Sequence, residues 1–151
     1  MLPKRLSPSI LSRVLVSLAI VLFSSSLVAQ TIESRLVVTG LPSKKGELFI
    51  GWFNSAETFR KPALAVYKKK IAMNGESTIT ILFPGLPAGR YAIALFLDEN
   101  GNGKIDKNFM GIPTEYYGIS NNVYPLTRAA SFEEAKFMLE KPNQVISIKV
   151  N

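Results

Sequence analysis

Two residue types are missing from this chain. Its 151 residues include no cysteine and no histidine. Without cysteine there is no disulfide, no thiol nucleophile and no site for lipid attachment at a processed N-terminus. Without histidine the usual general base near neutral pH and the commonest zinc ligand are also excluded. Tryptophan occurs once, internal repeats and low-complexity tracts are absent, and no segment sustains a long helical period. Stability must therefore come from a packed core or a bound metal.

What is present begins with a leader. Lys4, Arg5 and Arg13 precede an apolar run from Val14 to Phe23, interrupted only by Ser17, and small residues follow from Ser24 to Ser26 and at Ala29. This is the layout of a secretory signal peptide, and it predicts cleavage after Ala29 and a mature chain from Gln30. The apolar run is shorter than the ~20 residues a spanning helix needs. Its three basic residues removed, 15 Lys and Arg remain against 11 Asp and Glu, too mild an excess to imply nucleic-acid binding. Residues 30–151 are expected to form a single domain, large enough for its own core.

Alternation of apolar and polar residues dominates the mature chain. Leu36 and Val38 share one side of a first strand that stops at Gly40-Leu41-Pro42. Gly46 to Asn54 is apolar on both faces, as in an interior or covered strand, and Trp52 is read as core. Leu64 to Met73, Asn74-Gly75 and Glu76 to Phe83 read as strand, turn and strand, a hairpin. Lys68-Lys69-Lys70 within it suits an edge strand guarded against pairing with other chains. Arg90 to Leu97 places Tyr91, Ile93, Leu95 and Leu97 on one face and, by the same period, Asp98 on the other. Ser131 and Glu134 form a capping box ahead of one helical turn, and Phe137 to Leu139 and Ile146 to Val150 close the chain as strands. The expectation is all-β: a seven-stranded antiparallel Greek-key β-sandwich, immunoglobulin-like or prealbumin-like, with one long functional loop and one helical turn.

That loop, Asp98 to Asn122, is dense in Asp, Asn and Gly. Asp98, Asn100, Asn102, Gly103, Lys104 and Asp106 fall at the first, third, fifth, sixth, seventh and ninth positions of a calcium-loop pattern. The spacing matters because alternate side chains of a curled loop point at one centre, the glycine permits the turn, and the seventh residue offers its carbonyl. Phe109 stands at the twelfth position, where a bidentate Glu is expected. Glu99 or Glu115 folding back would complete the shell. The expected metal set is therefore Asp98, Asn100, Asn102, the Lys104 carbonyl, Asp106 and Glu115, with calcium as the cofactor and weak affinity. The alternative is turn chemistry alone, Asn-Gly dipeptides with Asp98 and Asp106 capping backbone amides. Beyond it, Tyr116, Tyr117, Ser120, Asn121 and Asn122 offer aromatic area with polar handles, a candidate ligand-binding surface.

The chain resembles a known family at these residues. Pro84-Gly85-Leu86-Pro87-Ala88-Gly89-Arg90-Tyr91-Ala92-Ile93, then DENGNGKID from Asp98 to Asp106, GIPTE from Gly111 to Glu115 and YGISNN from Tyr117 to Asn122 are similar to the exported bacterial proteins grouped as domain of unknown function 2141. The resemblance implies a signal-bearing, single-domain β-sandwich protein without an established activity. The chain departs from the family pattern at Leu97, where His is frequent, at Tyr116, where Gly is common, and at Ile119, which replaces a Phe.

Three functions from different classes follow. The first expectation is an exported, periplasmic or extracellular, non-catalytic binding module with a weak calcium loop and an unknown protein or glycan partner. It is monomeric, does not bind nucleic acid and does not stay inserted in a membrane after cleavage. The second is a carbohydrate- or peptide-binding accessory domain that uses the loop aromatics without metal. The last is a carboxylate-based hydrolase pairing Glu99 with Glu115 or Asp106.

Overall fold

The computed structural model describes residues 31–151. The leader and its cleavage after Ala29 lie outside the described residues. Eight strands occur: β1 (Thr31–Thr39), β2 (Lys45–Phe53), β3 (Tyr67–Asn74), β4 (Thr78–Pro87), β5 (Gly89–Asp98), β6 (Tyr117–Ile119), β7 (Phe137–Leu139) and β8 (Gln144–Lys149). They form two sheets, ordered β4-β1-β8 and β3-β2-β5-β6, with β7 also paired to β5. Among the described residues no helix is long and apolar enough to cross a membrane.

Period-two alternation explains the principal core. Leu36, Val38, Ile81, Phe83, Ile146 and Ile148 from one sheet meet Leu48, Ile50, Trp52, Ile93, Leu95 and Leu97 from the other in one buried cluster. Trp52 sits at its centre, its ring 5.2–5.7 Å from those of Phe83, Tyr91 and Phe137. Its buried Nε1 has no hydrogen-bond partner.

β2 and β5 are apolar on their outer faces too, and a second cluster explains half of that. Phe53, Ala92 and Ile119 are covered by Phe59, Ala130, Phe132 and Ala135, the last two on a single helical turn (Phe132–Ala135). The expected capping box starts that turn: the Ser131 N–H donates to the Glu134 carboxylate at 2.9 Å and the Glu134 N–H donates to Ser131 Oγ at 3.4 Å.

Three expectations are corrected. Asn74-Gly75 does not close a hairpin, because β3 pairs only with β2 and β4 with β1, so the turn carries the chain from one sheet to the other. β8 runs parallel to β1, so the strands are not all antiparallel. An eighth strand, β6, falls inside the segment expected to be loop, where Tyr117 pairs with Phe96 and Ile119 with Ala94. The edge assignment of the lysine-bearing strand agrees with the sheet order, which puts β3 outermost.

Candidate functional site

β5 delivers Asp98 to the end of the five-stranded sheet with 3% of its surface exposed. From there the chain curls around that carboxylate. Asp98 Oδ1 accepts from the N–H groups of Gly101 (2.7 Å) and Asn102 (3.2 Å), and Oδ2 accepts from that of Gly103 (2.7 Å). Gly101 and Gly103 hold φ of 76° and 75°, a region that glycine enters without strain and that the tight curl requires.

The side chains at the alternate positions converge as the spacing predicts. Asn100 Nδ2 donates to Asp106 Oδ2 at 2.6 Å and Asn102 Nδ2 to Asp106 Oδ1 at 2.9 Å. Asn100 Oδ1 accepts from the Asn102 N–H, and Asn102 Oδ1 from the Lys104 N–H. In this arrangement the two amide N–H groups satisfy the Asp106 oxygens. A cation would have to displace them and turn both amide oxygens inward. Among the described residues no three carboxylates meet as a metal-holding group, so a bound cation would draw on amide and carbonyl oxygens as well.

Of the two glutamates able to close the loop, the structure folds Glu115 back. It is 8% exposed, and its carboxylate accepts from the Glu99 N–H at 3.0 Å and the Asp106 N–H at 2.9 Å, tying together both ends of the curl. The Thr114 N–H donates to the Asp106 carbonyl beside it. Glu99 points elsewhere: it takes a 2.8 Å ion pair from Lys44, which raises the lysine pKa, and the same ammonium lies 5.3 Å from the centre of the Tyr116 ring.

The five residues expected to form a ligand surface are not brought together. Tyr116 packs against the principal core. Tyr117 lies on the outer face of the sheet, edge-on to Tyr124 at 5.6 Å. Ser120 is wholly buried: it accepts from the Ile93 N–H at 2.9 Å and donates to the Ala135 carbonyl at 2.6 Å, filling the gap on the β5 edge between β6 and β7. Asn121 Nδ2 donates to the Glu134 and Lys136 carbonyls at 3.0 Å each, and Asn122 Oδ1 accepts from the Lys149 N–H at 2.7 Å. These three polar side chains thus bind the chain's own backbone. Both asparagines have positive φ, 61° and 53°, which Asn tolerates better than most residues.

Sequence reasoning did not find the cavity beside this loop. About 770 Å³ opens on the outer sheet face, floored by Phe49, Ala94 and Phe96, of which Phe49 and Phe96 are largely buried. The alternation of β2 and β5 did signal it, because an outer face that is apolar must be covered or functional.

No curated protein and no solved structure shows a significant match to the chain. A bacterial family model, described as an uncharacterized protein conserved in bacteria, matches residues 36–147, from within β1 into β8 and across the whole loop. With that span, the chain belongs to the DUF2141 family.

Proposed function

We propose that the protein is an exported, non-catalytic binding module, a Greek-key β-sandwich whose Asp98–Glu115 loop holds calcium weakly. The leader-like residues before Gln30 support export to the periplasm or beyond. The observation that carries the calcium reading is Glu115, which supplies from outside the nine-residue curl the carboxylate that Phe109 does not. With it, Asp98, Asn100, Asn102, Asp106 and the Lys104 carbonyl make an oxygen-rich set of the kind calcium takes. Affinity would be on the order of 10⁻⁴ to 10⁻³ M, as for extracellular modules.

The same contacts support a non-catalytic role. A general acid and base need a free carboxylate pair, whereas Glu115 bonds two backbone amides and Glu99 is paired with Lys44.

Melting of the purified protein in chelator and then in calcium tests the loop. At a free calcium concentration about 100-fold above the dissociation constant, binding adds about 2.7 kcal/mol. For a domain of this size that is a rise of roughly ten degrees, absent from an Asp98→Asn, Asp106→Asn variant. Equal melting of wild type and variant at every calcium concentration would leave the loop as turn chemistry alone.

A further inference from the structure

The outer face of the five-stranded sheet is unevenly covered. Ala92 lies under the helical turn, Phe53 and Ile119 lie at its margin and also line the cavity, and Phe49, Ala94 and Phe96, further along the sheet, floor it. Ala94 is the small residue of that floor, whereas the space above its neighbour Gly51 is filled by aromatic rings. Gly51 and Ala94 face each other across β2 and β5, and the Phe49 and Phe53 rings lean over Gly51 so closely that a Cβ there would lie 2.9 Å from Phe53 and 3.2 Å from Phe49. Phe49 and Phe96 lie beside Ala94 with ring centroids 5.2 Å apart.

Two segments rise as walls, one carrying Met110 and Ile112 and the other Tyr124 and Leu126. Met110, Ile112 and Leu126 are large apolar side chains left more than half exposed, and Phe109, also exposed, adjoins them in sequence. A volume of about 770 Å³ lies within the ~300–1,000 Å³ of small-molecule sites.

Charge selects among apolar ligands. Every charged side chain lining the cavity is cationic: Arg60, Lys107 and Arg128. Arg128 is engaged by Glu134, but Arg60 and Lys107 make no ion pair among the described residues. Phe49 and Pro62 are shared with a second recess of about 410 Å³ lined by Lys68, Lys69 and Lys70, so Arg60 stands near a basic strand edge. Asn151, hydrogen-bonded to Tyr117, lies against β6 at the other edge of the sheet, far from Lys68 on β3.

We propose that this cavity binds a free fatty-acid-type carboxylate, its aliphatic chain lying over Phe49, Ala94 and Phe96 and its head toward Arg60, at the side that adjoins the recess lined by Lys68. Apolar burial supplies the affinity and the two cations supply the preference for an anion. One wall of the site belongs to the Asp98–Glu115 loop, but none of the expected calcium ligands lines the cavity, and the inference does not rest on that loop holding metal.

The test is fluorescence titration of the purified protein with a dansyl-labelled undecanoate, below its micellar concentration, with dodecanoate, dodecanol and dodecylamine as competitors. Saturable one-to-one binding is expected, displaced by dodecanoate about tenfold more readily than by dodecanol and least by dodecylamine. Arg60→Glu with Lys68→Glu should weaken binding about tenfold or more and abolish the preference for the acid. Ala94→Trp should fill the floor and abolish binding. Should that variant fail to fold, the exposed pair Met110→Asp and Leu126→Asp should weaken binding without altering the melting temperature. Binding unaffected by all of these variants, equal affinity for acid and amine, or adsorption to phosphatidylglycerol vesicles without binding of the monomeric carboxylate would each overturn the proposal.

Discussion

Replacing Glu115 by glutamine changes one oxygen for an NH₂ group at nearly constant volume, and the structure says what that does. The carboxylate now accepts two backbone N–H groups, from Glu99 at 3.0 Å and Asp106 at 2.9 Å, in a position 8% exposed. An amide offers one acceptor oxygen and must turn its own N–H donors toward the other backbone donor. One charge-assisted bond is lost and a largely buried N–H is left without a partner, at a combined cost of about 2–3 kcal/mol. For a domain of this size the melting temperature should fall by roughly 8–12 °C. Glu99→Gln is the control: its ion pair with Lys44 is 2.8 Å long but solvent-exposed, and pairs of that kind contribute little to stability. Both variants are to be melted in chelator, so that no cation contributes, and urea unfolding gives the free energies directly. If Glu115→Gln proves no more destabilising than Glu99→Gln, Glu115 is not what holds the two ends of the loop together.

Other outcomes follow from single side chains. Ser120→Ala strands the Ile93 N–H and the Ala135 carbonyl at the β5 edge, and should cost about 2–4 kcal/mol in urea unfolding; Ser120→Thr tests whether the hydroxyl alone suffices. Gly118→Ala would place a Cβ 2.6 Å from Ile148 Cγ2 and 2.8 Å from Leu95 Cδ1, and overpacking of this kind costs about 1–3 kcal/mol, read as a lower melting temperature. Bonds first from Arg128, then from the Ser131 side chain and backbone, hold the Glu134 carboxyl well below its ordinary value of 4.5. Because its folded pKa is depressed, the stability it contributes is complete above about pH 4.5 and is lost as pH falls toward the folded value. Glu134→Gln should therefore unfold at lower urea than wild type at pH 7, with the gap narrowing by pH 3.

Where local pattern determines structure, the sequence was readable. Alternation located β1, β2, β5 and β8 with their buried faces, and Ser131-x-x-Glu134 located the helical turn, because each signal is set by neighbours a few residues away. Asn74-Gly75 misled because a turn dipeptide fixes that the chain reverses and leaves open which strands then pair. β6 escaped notice because three residues with a central glycine have almost no intrinsic strand preference; β5 and the core holding Ile148 impose that conformation. Ser120 reads as surface for the same reason: nothing in Ile-Ser-Asn-Asn shows that the adjoining edge of β5 lacks a partner at Ile93. At the candidate site the spacing from Asp98 to Asp106 was legible, but the choice between Glu99 and Glu115 was not. It depended on Lys44, which lies far off in sequence and draws Glu99 away.

The parallel pairing of β1 with β8 has a kinetic consequence. Ser34 to Thr39 at one end of the described chain must find Gln144 to Lys149 at the other, and the intervening crossing at Asn74-Gly75 offers no local hairpin as a substitute nucleus. Contacts so distant in sequence form slowly, since loop closure must precede any return from burial. While β8 is missing, Ile146, Ile148 and Val150 are absent from the core and β1 has an open edge. The chain should therefore remain unfolded until β8 has been synthesised, and a truncation that removes Gln144 to Lys149 should not fold.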